Sequence, residues 1–97
     1  MNANPQLLLS DVNIAIQHHI AQIRLARATE LAQAGRLLEA EALLVQNGEL
    51  PRNARELDLL ARVAARQARF DEARRRWNMA MELEPGNEIY RQCIEHL

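Results

Sequence analysis

The chain is expected to fold as a single all-α domain of about five helices, arranged as antiparallel helix–turn–helix pairs. Three observations lead there. Apolar residues recur at spacings of three and four through most of the 97 positions, the period of an amphipathic helix. Alanine and leucine, both strong helix formers, supply most of the apolar set. No run alternates β-branched residues between turn pairs, so no strand pattern competes.

The elements follow in order. Residues 1–9, with Asn2, Asn4 and Pro5, read as a frayed lead-in. Ser10 or Asp11 then caps a helix that reaches Ala34 and ends at Gly35 in a left-handed turn. It carries two apolar stripes. Leu9, Val12, Ile16, Ile20 and Ile23 form one; Ile14, Ala21, Leu25, Ala28 and Ala32 form the other. Two readings stand open here. The segment is two helices broken near Ala21, or one long helix whose N-terminal half touches something extra, such as a second copy of the chain.

Arg36 to Gln46 is the next helix, with Leu37, Ala40, Leu43 and Leu44 facing inward, and Asn47-Gly48 ends it. The connector Glu49-Leu50-Pro51-Arg52 is short, so the following helix packs antiparallel beside it. Asn53 caps that third helix, and Glu56 stands where a capping box places its reciprocal carboxylate. Leu57, Leu60, Ala61, Ala64 and Ala68 make its apolar stripe. Phe70 opens the fourth helix, with Asp71 and Glu72 in the first turn, where the helix dipole favours negative charge. Ala73, Trp77, Ala80 and Met81 face inward, and Pro85-Gly86 stops it. The alanines let helix axes approach closely, while Phe70 and Trp77 fill the space between pairs. Asn87 caps a last helix with Ile89, Tyr90, Cys93, Ile94 and Leu97 as its apolar set.

An internal repeat joins these elements. Arg36-Leu37-x-Glu39-Ala40 corresponds to Arg69-Phe70-x-Glu72-Ala73, and Leu44 to Trp77, at an offset of 33 residues. Ala61, Phe70, Ala73, Trp77, Ala80 and Pro85 together resemble a tetratricopeptide repeat, whose period is about 34 residues. In that family a small residue sits late in the first helix, an aromatic opens the second, and small, aromatic, small and proline follow. Residues 53–86 match best. Residues 10–52 hold the N-terminal helix and a degenerate copy, in which Arg24 and Arg27 stand where apolar residues belong. Residues 87–97 take the place of a covering helix, which stacked repeats need at an open end. The resemblance implies a right-handed superhelix.

Composition bounds the function. The net charge is −1, so no global field favours nucleic acid. All twelve basic residues are arginine, as a GC-rich bacterial genome encodes. The single cysteine makes no disulfide framework, and neither a leader segment nor a membrane span is read. A bacterial, cytoplasmic protein is expected. No nucleophile with a base and no glycine-rich phosphate loop is present, so neither an enzyme nor a cofactor is expected. His18 and His19 point about 100° apart on a helix, a poor chelate. Cys93 and His96 share a helical face without a second pair to complete a metal site.

The arginines carry the sharper signal. Arg55, Arg62, Arg66 and Arg69 fall along one side of a helix. In tetratricopeptide arrays the first helix of each repeat lines a concave groove. The resemblance therefore implies that Arg55, Asp58, Arg62, Ala65 and Arg66 face it, with Gln22, Leu25, Thr29 and Gln33 from the earlier repeat. Guanidinium groups bind carboxylates in a bidentate fork, so the expected partner is another protein with an acidic or C-terminal segment. The chaperone-tail clamp of some family members is absent, since Leu25, Thr29 and Leu59 stand in its positions. The expected function is a non-catalytic interaction module, an adaptor, assembly factor or chaperone. The alternative is an oligomerisation domain that self-associates through the N-terminal helix around Ile16 and Ile20.

Overall fold

The computed structural model describes residues 5–97, with side chains from residue 11 onward. It contains five helices: α1 (Pro5–Gln33), α2 (Leu37–Leu44), α3 (Ala54–Arg66), α4 (Phe70–Leu83) and α5 (Glu88–Glu95). Among the described residues no strand forms beyond one isolated bridge. The all-α expectation and the number of helices hold.

Helix α1 is continuous over 29 residues, so the N-terminal segment has no break near Ala21. The helix already runs through Pro5–Asp11. Ser10 and Asp11 are therefore interior residues and not caps. The expected lead-in at residues 5–9 is helical, and its first four residues lie outside the described part.

The two helix hairpins turn in the same way. Gly35 has φ 79° and Ala68 has φ 61°, both left-handed. At the first turn Arg36 N–H donates to Leu31 O at 2.9 Å and Gly35 N–H to Ala32 O at 3.0 Å; at the second, Arg69 N–H donates to Ala64 O at 2.9 Å and Ala68 N–H to Ala65 O at 3.0 Å. These are paired Schellman closures. The next residue also repeats, with φ −87° and ψ 66° at Arg36 and φ −91° and ψ 70° at Arg69. Each arginine reaches the glutamate three residues on, Arg36 to Glu39 at 2.7 Å and Arg69 to Glu72 at 2.8 Å. Ala68 thus belongs to the turn and not to the apolar stripe of α3. Arg69 leaves the expected arginine row, since it opens α4 and pairs with Glu41 of α2.

Between the hairpins the chain reverses at Asn47-Gly48. Both residues have positive φ, 55° and 73°, and Gln46 and Glu49 exchange backbone hydrogen bonds at 3.2 and 2.9 Å. This is the conformation that Asn-Gly favours in tight hairpins, used here directly after a helix.

Packing centres on α3. It lies against α4, α2 and α1, while α1 also packs on α2 and α4 on α5. Leu57, Ala61 and Ala64 join Ala73, Trp77, Ala80 and Tyr90 in one core cluster. Val63 joins Leu31, Ala32 and Ala40 in a second, and Leu60 joins Ala28 and Leu44 in a third. Phe70 departs from expectation: it is 49% exposed, and the core position beside α3 belongs to Trp77 and Tyr90.

Glu56 departs as well. Asn53 caps α3, accepting from Glu56 N–H at 2.8 Å, but the Glu56 carboxylate does not close the box. It is fully buried and accepts from Arg24, Nε to Oε1 at 3.0 Å and Nη2 to Oε2 at 3.2 Å. Arg24, anomalous in the repeat pattern, is therefore the cation that Glu56 requires.

Two outcomes follow. Ala68→Gly removes a left-handed strain of about 1 kcal/mol from a non-glycine residue. It is expected to raise the urea midpoint of unfolding, by a net stabilisation of about 0.5 kcal/mol after the added chain entropy of glycine. Arg24→Ala strands a buried carboxylate and is expected to cost about 3 kcal/mol or more. Glu56→Ala costs less, because the Arg24 side chain is 22% exposed and can turn to water. Equal costs for the two in urea titrations would contradict this ordering.

Candidate functional site

The first helix of each hairpin and the last helix, α1, α3 and α5, share one face of the molecule, and a groove runs along it. One part of it is a cleft of about 830 Å³ reached by Thr29 and Gln33 of α1, by Arg62 and Arg66 of α3, by Cys93 of α5 and by Leu97 beyond it. Leu59, Val63 and Ala65 give it an apolar floor. A second depression shares Thr29, Leu59 and Arg62 with the first and adds Leu25, Arg55, Asp58 and Ile89. A third shares Leu25 and Arg55 with the second and adds His18, Gln22 and Glu84.

Every residue expected at the site lines this surface, and the structure separates their tasks. Asp58 is a structural acceptor. Trp77 Nε1–H donates to its Oδ1 at 2.7 Å and Arg62 Nε–H to the same oxygen at 3.0 Å. Arg66 crosses to α1 and donates from Nη1 to Ala32 O at 2.8 Å, a second donor to a carbonyl that already takes the Gly35 N–H. Thr29 donates its hydroxyl to Leu25 O at 2.7 Å. Gln22 is exposed at the far end. Arg55 is exposed and, among the described residues, makes no hydrogen bond or ion pair within the chain. A guanidinium has five donors, so Arg62 and Arg66 also retain donors for a ligand.

The residues missed from sequence are apolar. Leu59, Phe70, Ile89 and Leu97 line the groove, and of these Ile89 is 53% exposed. The signal was the width of the apolar set on α5, too broad for one buried stripe. Only Tyr90 of that set is fully buried, while Cys93 and Ile94 are partly covered.

The electrostatics of the far end rest on Tyr90. Its hydroxyl donates to Glu84 Oε1 at 2.8 Å, and Asn87 Nδ2–H donates to the same oxygen at 3.3 Å. Both bonds hold the Glu84 carboxyl below its usual range, with a smaller effect from the Arg55 charge. Burial, then the bond to Glu84, pushes the Tyr90 hydroxyl up to about 12. Among the described residues no group of three or more His, Cys, Asp or Glu is placed to hold a metal ion, and no helix is long and apolar enough to cross a membrane. His96 Nδ1 lies 2.7 Å from Gln92 O.

Comparison of the chain with protein-family models, curated proteins and solved structures finds no match. The tetratricopeptide resemblance therefore rests on the residues themselves.

A phenol whose pKa is raised on folding stabilises the fold while it stays protonated. That contribution is complete below about pH 10, where the free phenol titrates, and is lost as pH rises towards 12. The urea midpoint of the wild type is expected to fall between pH 9.5 and pH 11.5, and that of Tyr90→Phe to fall less.

Proposed function

We propose that the chain is a non-catalytic protein–protein interaction module whose groove takes an extended or helical segment of another protein. It acts as an adaptor, assembly factor or chaperone-like scaffold. The observation that supports this most is the row of three adjoining depressions over α1, α3 and α5, the first with an apolar floor, and with three arginines along the row. Such a surface offers apolar anchorage and charge-assisted hydrogen bonds together. An acidic segment or a C-terminal carboxylate is the ligand that arginine forks favour. The tetratricopeptide resemblance suggests the same use for this face, and a shared fold alone does not fix a function. A bacterial, cytoplasmic setting belongs to this reading, its bacterial part suggested by the all-arginine basic set.

Arg55 gives the cleanest test, because it is exposed and its loss breaks no bond within the described chain. Partners are captured from a bacterial lysate on the wild-type chain and on Arg55→Glu, after both show equal helical circular dichroism. The captured protein is expected to bind the variant about tenfold more weakly, the weight of one charge-assisted hydrogen bond. Equal binding by both would move the site out of the groove.

A further inference from the structure

The cleft beside Arg62 and Arg66 differs in chemistry from the rest of the row. Among the described residues no Asp or Glu lines it, while Asp58 and Glu84 line the two depressions beyond it. Arg66 forms no ion pair with the described chain, and its bond to Ala32 O holds the guanidinium in place. Arg62 commits Nε to Asp58 Oδ1 at 3.0 Å, and its Nη2 lies 4.0 Å from Cys93 Sγ across the cleft. Both forks are anchored before a ligand arrives, which lowers the ordering cost of binding. Two acceptors beside them are already taken: Ala32 O by the Gly35 N–H and Arg66, and Asp58 Oδ1 by Trp77 and Arg62. The other walls are apolar. Leu59, Val63 and Ala65 form the floor, and Phe70 lines the cleft while 49% exposed, an aromatic surface that the fold leaves uncovered.

We propose that this cleft binds a small free carboxylate with a hydrocarbon body, a medium-chain fatty acid anion. Its carboxylate accepts from Arg66 and from the uncommitted Nη edge of Arg62, and its chain lies against Leu59 and Phe70. Charge and donor balance select this ligand. An ionised carboxylate only accepts hydrogen bonds, which is what two anchored cations with no acid among them require. A peptide backbone would bring an N–H with each residue and bury it against arginines. An inorganic anion would leave the floor unused, and a neutral hydrocarbon would cover the guanidiniums without replacing their water. The volume of about 830 Å³ falls within the roughly 300–1,000 Å³ of small-ligand clefts. Binding of the acid does not depend on the groove taking a protein. Where the groove does, the acid competes with the partner for Arg62 and Arg66.

Trp77 is the one tryptophan of the chain and lines the cleft, so its emission reports occupancy. Octanoate is titrated into the full chain, with octanol and octylamine as its neutral and cationic counterparts. Octanoate is expected to give a saturable change in emission, octanol to bind about tenfold more weakly, and octylamine to give none. Arg66→Gln and Phe70→Ala, each compared after equal helical circular dichroism, are expected to weaken octanoate binding about tenfold. Arg75→Gln, exposed on α4 and outside the cleft, is expected to leave it unchanged. No saturable change up to millimolar octanoate, an equal response to octanol, or wild-type binding by both Arg66→Gln and Phe70→Ala would overturn the proposal. An acetylated peptide ending in leucine that binds more tightly than octanoate would overturn it as well, and give the cleft to a partner's chain end. Failure here is distinct from failure of the interaction reading, which the Arg55→Glu capture decides by itself.

Discussion

A fully buried carboxylate at Glu56 constrains how the two halves of this protein meet. The position is forced on α3 by its own cap: Asn53 takes the Glu56 N–H, so the side chain leaves the helix toward α1. A carboxylate removed from water must find a cation and a full set of donors. Arg24 supplies both in a bidentate fork. The pair pins α1 to α3 near the middle of α1, where the apolar contact between these helices is thin. Ala28, Leu44 and Leu60 complete the joint beside it.

Other polar ties work on the same plan, each linking elements that small residues have brought close. Glu41 of α2 accepts from Gln67 at 2.9 Å and from Arg69, which fastens the first hairpin to the turn of the second. Arg66 donates to the end of α1, and Asp58 holds Trp77 in register across α3 and α4. Alanines at 28, 40, 61, 73 and 80, all fully buried, make the approaches short enough for these bonds. Much of the arginine content is consequently structural, and the groove keeps Arg55 and the spare donors of Arg62 and Arg66.

Helix α1 serves three surfaces at once. Its C-terminal half builds the core through Ala28, Leu31 and Ala32. Gln22, Thr29 and Gln33 reach the groove. Val12, Ile16 and Ile23 are each more than half exposed, with Ile23 beside Leu43 of α2. A helix of 29 residues is longer than the body it packs on, so its two stripes part company. The stripe ending at Ala32 enters the core, and the stripe ending at Ile23 stays outside. Ile14 belongs to the first stripe by angle and is 65% exposed, because the body does not extend that far.

The sequence by itself determined the all-α class and the order of α2 to α5, and left α1 open as one helix or two. Those depend on local chemistry: the Asn53 and Asn87 caps, the glycine at 35, and apolar residues at helical spacing. The tetratricopeptide resemblance, and not the helical period alone, implied which residues share the groove face. Only the tertiary structure decided what those residues are for. Asp58 and Arg66 read as ligand contacts because their partners, Trp77 and Ala32 O, lie 19 and 34 residues away. Arg24 read as a flaw in the repeat for the same reason, with Glu56 32 residues distant. Ala68 read as core because its left-handed φ is imposed by the closure onto Ala64 and Ala65, against the preference of alanine. In each case a long-range bond or a packing constraint outweighed the local signal.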